Sequence, residues 1–250
     1  MQKIYQGIVL KSVPYKESDA IITLLTKEYG LISFKARGIH KINSKNASLV
    51  QLYTIGEYKI DEKTDYSNKT LISGSSLYFP LVIYEDLKYS CLLSYISETI
   101  LNFKDEYSEA YKILETIIYN LERIDIIKIV LMIQKYILKW NGVIFEVDKC
   151  VKCDSKSIEV FNFENGGFLC KKCMKGYNFS VNNFSYLKTI RLVLKANIEN
   201  IFSYQVDEII GYKILIDLFK YIENNLGVYY KTKDMLLMVI NNTENRLTRW

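Results

Sequence analysis

Histidine is almost absent from this chain: His40 is the only one in 250 residues. Any Ser-His-Asp or Cys-His arrangement would have to use it, and nothing around Gly38-Ile39-His40-Lys41 supports one. That setting suits a polyanion contact or an exposed loop side chain better than a catalytic base. No G-x-x-x-x-G-K-[ST] loop is present, which argues against a nucleotide-hydrolysing phosphate loop. No paired carboxylates or D-x-D cluster lie on an apolar background, as a nuclease would need. No apolar run approaches the ~18 residues of a membrane span. The best candidate, Ile126 to Ile133, is broken by Lys128. Lys3 and Lys11 are followed by no long apolar stretch, so no signal peptide is expected. Proline occurs twice and glycine eleven times. Both are scarce while Ile, Lys, Asn and Tyr are abundant together, a joint bias that resembles an A/T-rich coding sequence. The 21 tyrosines therefore carry no functional weight by number alone. Taken together, these absences favour a binding protein over an enzyme.

Cysteine is sparse too, but patterned. Four of the five form two matched pairs, Cys150-Val-Lys-Cys153 and Cys170-Lys-Lys-Cys173, with sixteen residues between them. This spacing puts four thiolates on two knuckles, as one tetrahedral zinc ion needs at about 2.3 Å from each sulfur. With all four positions filled by sulfur, no site is left for water, so the zinc is expected to be structural. The module would be of treble-clef or ribbon-like form. A disulfide framework is the alternative, but it suits short secreted chains; free thiols at metal spacing point to a reducing, cytosolic compartment. Cys91, among apolar residues, reads as a small core hydrophobe.

The net charge of +5 is modest, but its distribution is uneven. Residues 1–50 hold eight Lys/Arg against Glu17, Asp19 and Glu28, and residues 149–176 hold six lysines against Asp154, Glu159 and Glu164. Two basic concentrations are what two polyanion-facing surfaces would show, although lysines also simply solvate surfaces. The best contact candidate is Lys35-Ala36-Arg37-Gly38-Ile39-His40-Lys41. A strand would project Lys35 and Arg37 on one face, and Lys41 and Lys45 continue the charge into the next loop. Lys11 and Lys16 join the set by charge placement. The plainer reading is a solvated edge strand guarded by charge.

The first ~80 residues read as β. Lys3–Val13, Asp19–Lys27, Leu31–Ala36, Leu52–Ile60 and Thr70–Tyr78 are rich in β-branched and aromatic residues. Turn signals separate them, at Pro14 to Asp19, Tyr29-Gly30, Asn43 to Asn46 and Asp65-Tyr66-Ser67-Asn68. Five short strands fit a small closed barrel. From Tyr84 the period becomes helical, with apolar stripes over Leu87–Phe103, Glu109–Leu121 and Ile126–Trp140, the last closed by Asn141-Gly142. A hairpin lies between the cysteine pairs, with Ile158–Phe163 and Gly167–Leu169 as its arms. Helical patterns return over Phe184–Ala196 and Val206–Leu226, with a final apolar stretch at Lys233–Ile240. The expected architecture is α+β and multidomain: a β-barrel over residues 1–80, a helical bundle split into 81–148 and 178–250, and an inserted zinc module over 149–177.

Several of these stretches resemble one family. Gly7-Ile8-Val9-Leu10, Tyr15-Lys16-Glu17-Ser18-Asp19-Ala20-Ile21, Thr26-Lys27-Glu28-Tyr29-Gly30 and Ala36-Arg37-Gly38 are similar to the N-terminal signature of RecO, the bacterial recombination mediator and DNA repair family. Phe163-Glu164-Asn165-Gly166-Gly167-Phe168-Leu169-Cys170 resembles its approach to the second cysteine pair. The resemblance implies an OB-fold at the N-terminus and a cytoplasmic, nucleoid-associated bacterial protein. It implies binding of single- and double-stranded DNA, annealing of complementary strands and no enzymatic turnover. Implied partners are RecR, single-stranded DNA-binding protein, RecF and RecA, and no membrane. Contact with DNA carries over to Lys35, Arg37 and Lys41; Glu17, Asp19 and Gly30 read as turn- and barrel-shaping residues.

Two other classes stand beside this one. A protein-interaction adaptor would use the helices and the zinc module for docking and the barrel only as scaffold, with no direct DNA role. A zinc-dependent nucleic-acid enzyme would cleave or deaminate DNA, which the filled thiolate set argues against.

Overall fold

The computed structural model describes residues 1–62, 69–103, 107–175 and 183–247. The strands are β1 (Gln2–Tyr15), β2 (Asp19–Thr26), β3 (Gly30–Ala36), β4 (Ile55–Glu62) and β5 (Lys69–Tyr78). There follow α1 (Val82–Glu85), α2 (Leu87–Asn102), α3 (Tyr107–Tyr119) and α4 (Ile126–Trp140). A hairpin of β6 (Val160–Asn162) and β7 (Gly167–Leu169) leads to α5 (Phe184–Lys195), α6 (Glu208–Leu226) and α7 (Lys233–Leu247). The turn expected at Asp65-Tyr66-Ser67-Asn68 lies outside the described residues, as does the expected start of the second helical part at residue 178.

The first five strands close into a barrel in the order β1-β2-β3-β5-β4, with β4 returning to β1. This is the five-stranded OB-fold, as expected. Alternation drives it: Ala20, Ile22 and Leu24, then Ile32, Phe34 and Ala36, then Tyr58 and Ile60 all point into one buried core. β1 is long enough to serve two neighbours. Gln2–Ile8 pairs with β4, while Gly7–Tyr15 pairs with β2. Among the described residues, β3 and β5 pair in parallel at Lys35 and Thr70. The segment between β3 and β4 sends Ile39, Leu49 and Val50 into the barrel core.

The chain forms two compact units. The first comprises residues 1–121 and 232–250, the second residues 122–231. In the first, α3 packs on β1, β2 and β3, and α2 packs on α7. The N–H and hydroxyl of Thr232 both donate to Glu98 Oε2, at 3.0 and 2.7 Å, which ties the start of α7 to α2.

In the second unit α4 packs against α5 and α6. These three helices, from before and after the cysteines, lie in one unit, while α2, α3 and α7 lie in the unit of the barrel. Asp125 starts α4 by accepting from Lys128 N–H at 3.1 Å, and Asp207 starts α6 the same way from Ile210 N–H at 3.0 Å. Lys128, the residue that interrupts the apolar run, is itself buried. Its Nζ donates to Tyr204 O at 2.5 Å and lies 4.3 Å from the Tyr204 ring centroid. Burial pushes its pKa down. No described helix is long and apolar enough to cross a membrane.

Candidate nucleic-acid interface and four-cysteine centre

The outer face of β1, β2 and β3 is assembled by one irregularity. Val9 stands opposite Leu24 and Lys11 opposite Thr23, so Leu10 is an extra residue in β1. In an unbroken strand Lys11 would share the inward face of Val9. The bulge resets the phase and sends Lys11, Val13 and Tyr15 outward. The register then sets Lys11 beside Thr23 and Ser33, and Val13 beside Ile21 and Lys35.

Lys35 is the most constrained cation of this face. Its Nζ pairs with Asp19 Oδ2 at 3.1 Å, lies 4.6 Å from the Tyr15 ring centroid, and its side chain is only 23% exposed. Asp19 also accepts from Gly38 N–H at 2.9 Å. Gly38 has φ +64°, a conformation in which a Cβ is strained. The Gly38 N–H, then the Lys35 ammonium, hold the Asp19 carboxyl below the usual carboxylate range. Asp19 therefore fixes the exit of β3 against the start of β2, and His40 N–H reinforces this by donating to Ser18 O at 3.1 Å.

Arg37 lies just beyond β3 and is exposed, as are Lys41 and Lys45 in the following loop. Lys16 occupies the β1–β2 turn at φ +57°, with Nζ 5.6 Å from the Tyr15 ring centroid. Among the described residues, none of Lys11, Lys16, Arg37, Lys41 and Lys45 has an ion-pair partner. The structure thus gathers Lys11, Lys35 and Arg37 on or beside one sheet face and carries Lys41 and Lys45 on the loop that follows. It also brings in Tyr15, an exposed residue whose ring is approached by two lysines. Its place in the pattern was visible only through the register.

The second site lies in unit 2. Cys150, Cys153, Cys170 and Cys173 bring their sulfurs within 4.8 Å of one another. Cys153 Sγ and Cys170 Sγ are 3.6 Å apart, far beyond disulfide length, and all four are free thiols. A tetrahedron with ~2.3 Å metal–sulfur bonds has edges of ~3.8 Å, so the set fits a single divalent ion. The two knuckles are built alike. Asp154 N–H donates to Cys150 O at 2.9 Å, and Met174 N–H to Cys170 O at 3.0 Å.

Ionisation is divided within the set. Burial opposes it at Cys150, but N–H donors from Lys152, Cys170 and Cys153 outweigh burial and draw that thiol down to about 6. The Cys153 and Cys170 side chains push Cys173 up to about 12. Four thiolates cannot gather here without a cation, and a metal ion would supply it.

Aromatic packing holds the module to its unit. Phe145 packs edge-on to Phe161, Phe163 and Tyr221, and Phe163 stacks on Tyr221 of α6 at 5.2 Å. The hairpin sits as expected, with Val160 opposite Leu169. Gly167 is the tightest point: at φ +146° a Cβ would stand 2.1 Å from Glu146 O. Asp148, two residues before Cys150, binds Arg191 and Lys195 of α5.

Comparison with known proteins follows the same division. A family model described as "Recombination protein O N terminal" matches residues 1–76, and one described as "Recombination protein O C terminal" matches residues 84–234. The chain belongs to the RecO family. A DNA repair protein RecO from Halalkalibacterium halodurans is 30% identical over 175 residues, 68% of each chain. One from Thermoanaerobacter is 26% identical over 250 residues, covering 96% of this chain and 97% of the relative. The Bacillus subtilis RecO is 27% identical over 240 residues, 92% of each. The RecO N-terminal match thus ends within β5, so it spans the barrel and both flanks of the basic loop. The C-terminal match contains all four cysteines.

Proposed function

We propose that this RecO-family protein is a DNA repair and recombination mediator that binds single- and double-stranded DNA and anneals complementary strands. With RecR it would help load RecA onto DNA coated by single-stranded DNA-binding protein, with RecF as a further partner. The contact surface in this reading is the outer face of β1, β2 and β3 with the loop that follows. Lys35, Arg37, Lys41, Lys11, Lys16 and Lys45 carry it. One observation supports it above the others: Arg37, Lys41 and Lys45 stand exposed without ion-pair partners among the described residues, on a loop whose two ends are buried in the barrel. Annealing requires that two strands be neutralised while their bases stay free to pair, and phosphate contacts by dispersed cations do this. Lys35, held by Asp19, would serve as a positioned cation and Arg37 as the freer one.

The four cysteines would hold one structural zinc ion, and the ion's role is to fix the knuckles. No turnover is proposed. The protein would act in the bacterial cytoplasm on the nucleoid. The functional division would follow the barrel (1–80), the helical parts (81–148 and 178–250) and the metal module (149–177).

Strand annealing by the purified protein tests this reading, with the strands first bare and then coated by the cognate single-stranded DNA-binding protein. Acceleration of both reactions is expected, with little dependence on sequence. Binding to partner proteins with no measurable affinity for DNA would favour the adaptor instead.

A further inference from the structure

The loop after β3 is held at both ends and bare in the middle. Ile39 enters the barrel core on the way out, and Leu49 and Val50 do so on the way back. Between them Lys41 N–H donates to Gly38 O at 3.2 Å and Ser44 N–H donates to Lys41 O at 3.0 Å. Ile42 stands on the second of these turns. The residue is 103% exposed, more than any other large apolar residue described. Turns favour Gly, Asn, Asp, Ser and Pro, so an isoleucine here serves neither the turn nor a core. Its neighbours are Arg37, His40, Lys41 and Lys45, all exposed.

We infer that Ile42 is a contact for an unpaired nucleobase. This rests on reading the loop as a phosphate contact. Cations that grip phosphates fix where a strand lies but ignore its bases. An apolar group one residue from Lys41 is carried to the sugar and base of the same stretch. The face of an unstacked base is apolar and open to water, and covering it with isoleucine removes apolar surface on both sides. In a duplex those faces are already covered by neighbouring bases. The contact is therefore made with a single strand and lost on pairing, which favours release of the annealed product.

The test uses the full chain with three probes of equal length: oligo(dT), a duplex, and a strand of abasic phosphodeoxyribose. Ile42→Ser is expected to weaken oligo(dT) binding about five- to tenfold, at an unchanged salt slope. It should leave the abasic strand, the duplex and the melting temperature unaltered. Ile42→Trp is expected to restore oligo(dT) binding, and its fluorescence should fall when oligo(dT) but not the abasic strand is added. Arg37→Gln with Lys41→Gln should weaken all three probes. Wild-type oligo(dT) affinity in Ile42→Ser, or an equal loss on the abasic strand, overturns the inference while leaving the phosphate reading in place. Wild-type binding of all probes by the double variant removes the phosphate reading, and the inference with it.

Discussion

Asp19 does more than shape a turn. It accepts the Gly38 N–H and neutralises Lys35, so one carboxylate sets both the loop exit and how much charge the sheet face shows. Its pKa lies below the unfolded value in the folded chain. Its contribution to stability is therefore complete above the ordinary carboxylate value of about 3.9 and is lost as pH falls through the lower, folded value. Asp19→Asn keeps an acceptor for Gly38 but loses the charge. The variant is expected to melt below the wild type at neutral pH, with the gap narrowing only as pH falls below the ordinary carboxylate value; thermal unfolding from neutral to acidic pH measures it. Gly167 is a second single-residue test. Gly167→Ala sets a Cβ against Glu146 O, so a loss on the order of 1–3 kcal/mol is expected in denaturant unfolding.

Elements differ in what fixed them. The barrel strands were legible because inward residues alternate along each one, as in Ala20, Ile22 and Leu24. The bulge was not, because Val9-Leu10-Lys11 reads as an ordinary apolar run meeting a charge until the pairing with Leu24 and Thr23 is known. For the same reason the Lys35–Asp19 pair was hidden: it joins adjacent strands, and only the register brings its members together. The cysteine spacing was fully legible, since each pair builds its own knuckle from local hydrogen bonds. What holds the module to α6 was not, because Tyr221 lies far along the chain from Phe145 and Phe163. This gives an expectation for metal removal. Cys150→Ser, or chelation, should release about one zinc per chain. Amide exchange should rise over residues 145–175 while the barrel strands keep their protection. Equal loss of protection in the barrel would contradict a local role.

Across the described residues, periodicity showed α2 to α6 and an apolar stretch where α7 lies, but not the single turn of α1. It could not show against what. α2 and α4 both carry apolar stripes, yet one packs on α7 in the unit with the barrel and the other on α5 and α6. Nor did the sequence indicate what receives Lys128, which interrupts the apolar run: the Tyr204 carbonyl and ring take it inside the unit. Distribution of charge, by contrast, transferred well from sequence to structure, because Arg37, Lys41 and Lys45 are local to one loop. The proposed function requires that loop to meet phosphate. Its most direct test is the salt dependence of single-strand affinity, by fluorescence anisotropy, for the wild type and for Arg37→Gln/Lys41→Gln/Lys45→Gln. At ~0.7 per phosphate contact, the triple variant is expected to bind more weakly with a slope shallower by roughly 2. An unchanged affinity and slope would contradict it.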